Sequence, residues 1–152
     1  MKNSLIRNSD RTEIAQRIAA LSPSSSPGWG SMSVGGMVCH LNDAYRVGLG
    51  EKIVKPVNMP LPGAAIKFIA LRLPVTWPRN IKAPEEVRQG GGGTPPGDFT
   101  DDKSRLLEAL ERFCDFRQFA QIKHPIFGFM RSEDWMRWGY LHADHHLRQF
   151  GG

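Results

Sequence analysis

Ser132-Glu-Asp-Trp-Met-Arg-Trp-Gly-Tyr-Leu-His142-Ala-Asp-His-His146-Leu-Arg-Gln-Phe-Gly151 is the stretch on which the fold turns. Its large apolar residues recur every three to four positions, the period of an amphipathic helix and not the alternation of a strand. Ser132 reads as the N-cap, and Glu133 and Asp134 suit the positive end of a helix dipole. The spacing predicts a last helix from Glu133 to about Phe150. With His142 at zero on a wheel of about 100° per residue, His146 lies about 40° to one side. Trp135, Met136, Gly139, Ala143 and Phe150 share that side. His145 lies about 60° the other way, toward Asp134 and Arg148. His142 and His146 are therefore the inward pair, and His145 sits at the edge as a supporting residue.

Three more helices follow from the same reasoning. Ile14, Ile18 and Leu21 give a first helix from Asp10, its N-cap, to Leu21, ended by Ser22-Pro-Ser-Ser-Ser-Pro-Gly28. A second helix spans Ser33 to about Leu49. On its wheel His40 points the same way as Met37, Leu41, Ala44 and Val47, while Asn42 and Arg46 face solvent. Thr100 caps a helix from Asp101 to about Gln121, with Leu106, Leu107, Leu110, Phe113 and Cys114 as its buried stripe. Pro62–Leu73 reads as a short helix or an interrupted one. Pro74 to Gly97 holds many prolines and the run Gly90–Gly93, and residues 74–99 are expected to form a flexible crossover loop. The glycine run has no Gly-Lys-Ser/Thr ending and no preceding strand, so it is not a phosphate loop. His124-Pro-Ile-Phe-Gly128 reads as a turn. Sustained strand alternation is missing, so the expected class is all-α.

A chain of 152 residues, 40% of them apolar, forms one domain with a real core. Its two cysteines, Cys39 and Cys114, suggest neither a disulfide framework nor a Cys-rich zinc site. Residues 1–11 carry no apolar signal segment, and the longest apolar stretch, 63–73, is too short to span a bilayer and contains Lys67 and Arg72. A cytoplasmic protein with no membrane partner is expected. The net charge of +5 is scattered and forms no basic run, which argues against nucleic acid as a partner. A small-molecule substrate is the expected partner.

Two histidines at i and i+4 are neighbours on one helix face, and a third from a facing helix completes a three-nitrogen metal site. His40, His142 and His146 are that set. A single inward histidine is usually a bonded core residue, but three buried rings without an ion are hard to satisfy. Three neutral ligands leave an open coordination position, the pattern of catalytic zinc. Imidazole suits zinc, nickel, copper or iron alike; zinc or nickel is the expected divalent ion. Position 143 is Ala, so no His-Glu-x-x-His base lies between the ligands. Asp43 is a weak candidate for proton transfer, and Asp144 points away from the ligand face. Trp135 and Trp138 read as core or pocket walls, Gln149 as a substrate contact or a helix-end hydrogen bond, and Cys39 as a small core residue.

Trp29-Gly-Ser-Met-Ser-Val-Gly-Gly-Met-Val-Cys-His40-Leu41 resembles the start of the second helix in the DinB/YfiT-like superfamily, in a bacterial branch that is a domain of unknown function. His124-Pro-Ile-Phe-Gly128, Glu133-Asp-Trp135 and His142-Ala-Asp-His-His-Leu-Arg-Gln-Phe-Gly151 resemble the same branch. The similarity covers both ends of the chain, and the Pro- and Gly-rich stretch 74–97 departs from it. The resemblance implies a single four-helix-bundle domain over 1–152, a metal on His40, His142 and His146, and a homodimer. Relatives include thiol-using enzymes, a maleylpyruvate isomerase and bacillithiol S-transferases, and others described as metal-dependent hydrolases. The expected function is thus that of a thiol-dependent S-transferase-like metalloenzyme, the metal activating a low-molecular-weight thiol. The alternatives are a hydrolase with metal-bound water and a non-catalytic metal-binding module.

Overall fold

Five α-helices and one minimal hairpin make up the regular structure of residues 2–152, which the computed structural model describes. Helix α1 (Asn8–Ala20) starts before Asp10. Asp10 is not its N-cap but sits inside the first turn. Its carboxylate accepts from Ser4 N at 2.6 Å and from Arg7 Nε and Nη2 at 2.9 and 2.7 Å, which ties the N-terminal segment to the helix. Helix α2 (Val34–Gly48) starts one residue after Ser33, which is its N-cap, with Oγ accepting from Gly36 N at 3.0 Å. Helix α3 (Gly63–Arg72) resolves the open reading of 62–73 in favour of a short helix.

The ends of the last two helices differ from expectation, and carboxylates bond the backbone where each begins. Helix α4 (Phe99–Asp115) is capped by Asp98 rather than Thr100, with Oδ1 accepting from Asp101 N at 3.0 Å. It stops at Asp115 rather than Gln121, since Phe116 turns extended and Phe119–Gln121 forms a separate 3-10 turn that buries Phe119. Helix α5 (Ser132–Gln149) takes Ser132 as its first residue, not its cap. Asp134 Oδ2 reaches back to accept from the N–H of the true cap, Arg131, at 3.2 Å. Strands β1 (Lys123–His124) and β2 (Gly128–Phe129) pair antiparallel, Lys123 opposite Phe129 and His124 opposite Gly128. Two-residue strands are too short to leave an alternating pattern, so the sequence gives only the turn.

The structure is mostly helical. Helix α2 lies along α4, α1 touches α4 and α5, and α2 also meets α5. Phe113 of α4 wedges between α2 and α5 where both present glycine. A Cβ on Gly48 would lie 2.5 Å from Phe113 Cε2, and one on Gly139 would lie 2.8 Å from Phe113 Cε1. Tyr45, Phe119, Trp135 and Trp138 complete this buried aromatic block. Each such ring contributes about 1.5–3 kcal/mol on burial. Packing that block brings α2 and α5 side by side.

The crossover segment carries its own structure. Glu85–Val87 form a 3-10 turn, and the glycine run folds back on it, Gly92 N donating to Glu85 O at 2.9 Å and Gly93 N to Arg88 O at 3.0 Å. A Cβ on Gly93 would lie 2.7 Å from Arg88 O, so a side chain is excluded there. Asp43, fully buried on α2, anchors the segment by accepting from Thr94 N and Oγ1 at 2.7 and 2.8 Å. Among the described residues, no helix is long and apolar enough to cross a membrane.

Candidate metal centre

His40 sits mid-way along α2, and His142 and His146 occupy successive turns of α5. Their ring centroids lie 5.2 Å (His40–His142), 4.9 Å (His40–His146) and 5.0 Å (His142–His146) apart. One ring nitrogen from each falls within 4.8 Å of the others. His40 is buried; His142 and His146 are half-buried. The helical wheels had placed the same three rings on inward faces.

Each outer ring is aimed by an oxygen. His40 Nδ1 lies 3.0 Å from Val87 O, and a carbonyl can only accept, so Nδ1 carries the proton and Nε2 the lone pair. Gln149 Nε2 donates to Trp29 O at 2.8 Å, which turns Oε1 toward His146 Nδ1 at 3.0 Å. His146 Nδ1 therefore donates, and its Nε2 is also left unprotonated. His142 Nε2 lies 3.2 Å from His40 Nε2, and its Nδ1 is buried without a partner. Oxygen acceptors behind ligating imidazoles fix tautomer and orientation in metal sites.

Burial pushes all three rings toward the neutral form. His40 is lowered by desolvation, partly opposed by the Val87 bond and Asp43. His142 is held well below the usual imidazole range by desolvation and by its histidine neighbours. His146 is pushed down to about 3, again mainly by desolvation. His40 and His146 each present a neutral ring with an unprotonated Nε2 to the cluster, as a divalent cation requires of imidazole ligands. Two nitrogens sharing a tetrahedral ion at roughly 2.0–2.1 Å would stand about 3.3 Å apart, close to the separation of His40 and His142. The His40–His142 pair matches such an ion, and a nitrogen of His146 lies within 4.8 Å of both.

The other candidate residues sort by contact. His145 lies at the rim, half-buried, its ring 5.2 Å from His146, 5.8 Å from Trp29 and 6.1 Å from Trp77. Trp138 walls the cluster, 5.0 Å from His142. Trp135 is no pocket wall. It is fully buried and stacks 5.6 Å from Phe119, because Trp138 stands between it and the histidines along α5. Asp43, the weak proton-transfer candidate, spends its carboxylate on Thr94 and on Lys52 Nζ at 2.9 Å. Asp144, turned away from the ligand face, is held by ion pairs. It pairs with Arg17 at 2.8 Å and with Arg148 at 3.0 Å. Cys39 is a buried core thiol, pushed up to about 12 by desolvation and Asp102.

Sequence reasoning missed four contributors. Val87, Trp29, Trp77 and Arg79 come from aperiodic chain, where no wheel applies. Trp77 Nε1 donates to Ala70 O at 3.1 Å, and its ring stands 6.1 Å from His142. Arg79 holds its guanidinium 4.3 Å over the Trp29 ring. Only the quoted Trp29 segment hinted at any of these.

No curated protein and no solved structure matches the chain. One family model matches residues 2–151, essentially the whole length, and its description assigns no activity. The chain therefore belongs to the family described as "Protein of unknown function (DUF1569)".

Proposed function

We propose that the protein is a divalent-metal enzyme in which His40, His142 and His146 hold zinc or nickel and a low-molecular-weight thiol is the activated reactant. The observation that carries this reading is the orientation of the rings. Val87 O and Gln149 Oε1 each take a proton from the far side of a histidine, leaving Nε2 lone pairs on the cluster side. The frame of α1, α2, α4 and α5, together with the motifs at both chain ends, supports a DinB/YfiT-like four-helix bundle. Three neutral ligands leave room for a further ligand.

An ion held by His40, His142 and His146 would supply Lewis acidity, enough to lower a thiol's pKa from its ordinary value of about 8.5. The chain's residues do the rest. Gln149, fixed by Trp29, keeps His146 in its ligating tautomer. Trp138 and Trp77 flank His142 and help set its position. The thiol must come from outside, because Cys39 and Cys114 are buried and raised to about 12 and about 11.

Thiol transfer is favoured over hydrolysis because, with Asp43 and Asp144 both committed to cations, the ion would act alone, and a thiol is far easier to deprotonate than water. The test is to load the purified chain with zinc or nickel and supply a small thiol with an electrophilic acceptor. Conjugate formation that requires both ion and thiol is expected. Metal-dependent ester cleavage without thiol would point to the hydrolase instead, and a loaded protein inert in both assays to a non-catalytic module.

A further inference from the structure

The geometry points to Arg79 as the residue that recognises an anionic group, of the carboxylate class, on the small molecule handled at the histidine cluster. This deepens the metal-site reading and rests on it. The crossover segment returns over α5 at this point. Trp77 is pinned by its bond to Ala70 O and stands 6.1 Å from both His142 and His145. Two residues on, Arg79 lays its guanidinium 4.3 Å above Trp29. Trp29 in turn stands 5.8 Å from His145, and its carbonyl holds Gln149, the partner of His146. The cation is thus linked to the ligand pair through one aromatic ring and one amide.

Arg79 differs from the arginines that merely brace the fold. Arg7, Arg17, Arg72 and Arg148 each grip a carboxylate of the chain. Arg79 is exposed and has no carboxylate within ion-pair distance among the described residues. Stacking on Trp29 leaves its planar edge of N–H donors free, the fork that suits a carboxylate. The next residue, Asn80, adopts φ 59°, a left-handed turn, and its side chain closes on Gly30 beside Gln149. Arg79 therefore lies over the Trp29 ring with its guanidinium still open to solvent. The acid nearest in sequence to the ligand pair, Asp144, is already neutralised by Arg17 and Arg148 and offers Arg79 no partner. The molecule expected is one that carries both a thiol for the cluster and a carboxylate for Arg79.

The test uses the full chain loaded with cobalt(II), whose visible absorption reports thiol ligation. Mercaptoacetate and mercaptoacetamide carry the same thiol and differ only in charge. Mercaptoacetate is expected to bind about tenfold more tightly, the scale of one charge-assisted bidentate contact. Arg79→Met should abolish that preference while leaving cobalt uptake and mercaptoacetamide affinity unchanged, and Arg79→Lys should restore part of it. Equal affinities in the unaltered protein, or a preference that survives Arg79→Met through chelation of the metal, would overturn the assignment alone. Failure to take up cobalt at all would overturn the metal reading and this one with it.

Discussion

His124 and the cluster of His40, His142 and His146 are both buried imidazole sites, and burial drives both toward the neutral form, His124 and His146 alike to about 3. They differ in where the lone pairs go. His124 Nδ1 accepts from Ile126 N at 3.2 Å and Phe127 N at 3.1 Å, so its acceptor is spent on closing the β1–β2 turn. Its ring stacks 4.4 Å from Phe127 and packs on Trp135 and Trp138. In the cluster, Nδ1 of His40 and His146 donates outward, and the acceptor nitrogens remain on the inside. Depressed basicity therefore does not mark a ligand; the direction of the unspent lone pair does.

The largest effect that would break this contrast is on metal content. His40→Ala, His142→Ala and His146→Ala should each lower zinc affinity more than about 100-fold, since each removes a direct bond. His124→Asn should leave metal content near that of the unaltered protein, and His145→Ala should lower it only weakly. Metal analysis after dialysis against a chelator series ranks them; loss in the His145 variant with retention in the His146 variant would mean the wrong pair is assigned.

Gln149→Leu sharpens the same contrast one bond further out. It keeps the side-chain bulk but removes the acceptor that aims His146, and a drop in metal affinity of about 10–100-fold is expected with helix content unchanged. An unaltered affinity would show that the tautomer of His146 needs no such support.

A third prediction tests packing near His124 rather than the cluster. Gly48→Ala drives a methyl into Phe113 and Trp135 and should cost about 1–3 kcal/mol in chemical unfolding while sparing metal binding. Coupled loss of metal would mean the aromatic block and the cluster are one unit.

The smallest effect concerns pH. His124 titrates near 6.5 when unfolded but is pushed down to about 3 when folded, so below 6.5 the unfolded chain binds the extra proton. Stability from this residue is complete above pH 6.5 and is lost as pH falls toward 3. His124→Asn puts a non-titrating oxygen near the position of Nδ1, so the metal-free variant should lose stability less steeply over that window. Parallel slopes for the two proteins in urea unfolding from pH 7 to 4 would refute the role given to His124.

Helix faces were the legible part of this sequence. His40, His142 and His146 stand on periodic stripes, and a wheel suffices to turn them inward. The helix ends were less so: Asp98 takes Asp101 N and Asp134 takes Arg131 N, so the two helices start one or two residues earlier than caps at Thr100 and Ser132 would set them. The supporting shell was hidden. Val87 O is a main-chain atom in a Pro- and Gly-rich segment, and the Trp29–Gln149–His146 relay joins positions 120 residues apart. Such contacts depend on where an aperiodic chain comes to rest, which no local pattern records.

Diffraction at the zinc absorption edge, from crystals of the full chain grown with zinc, tests the central claim most directly. One anomalous peak is predicted, about 2.0–2.1 Å from a single ring nitrogen of each of His40, His142 and His146. A peak bonded to His145 or His124 in place of one of these, or no peak between the three rings, would contradict it.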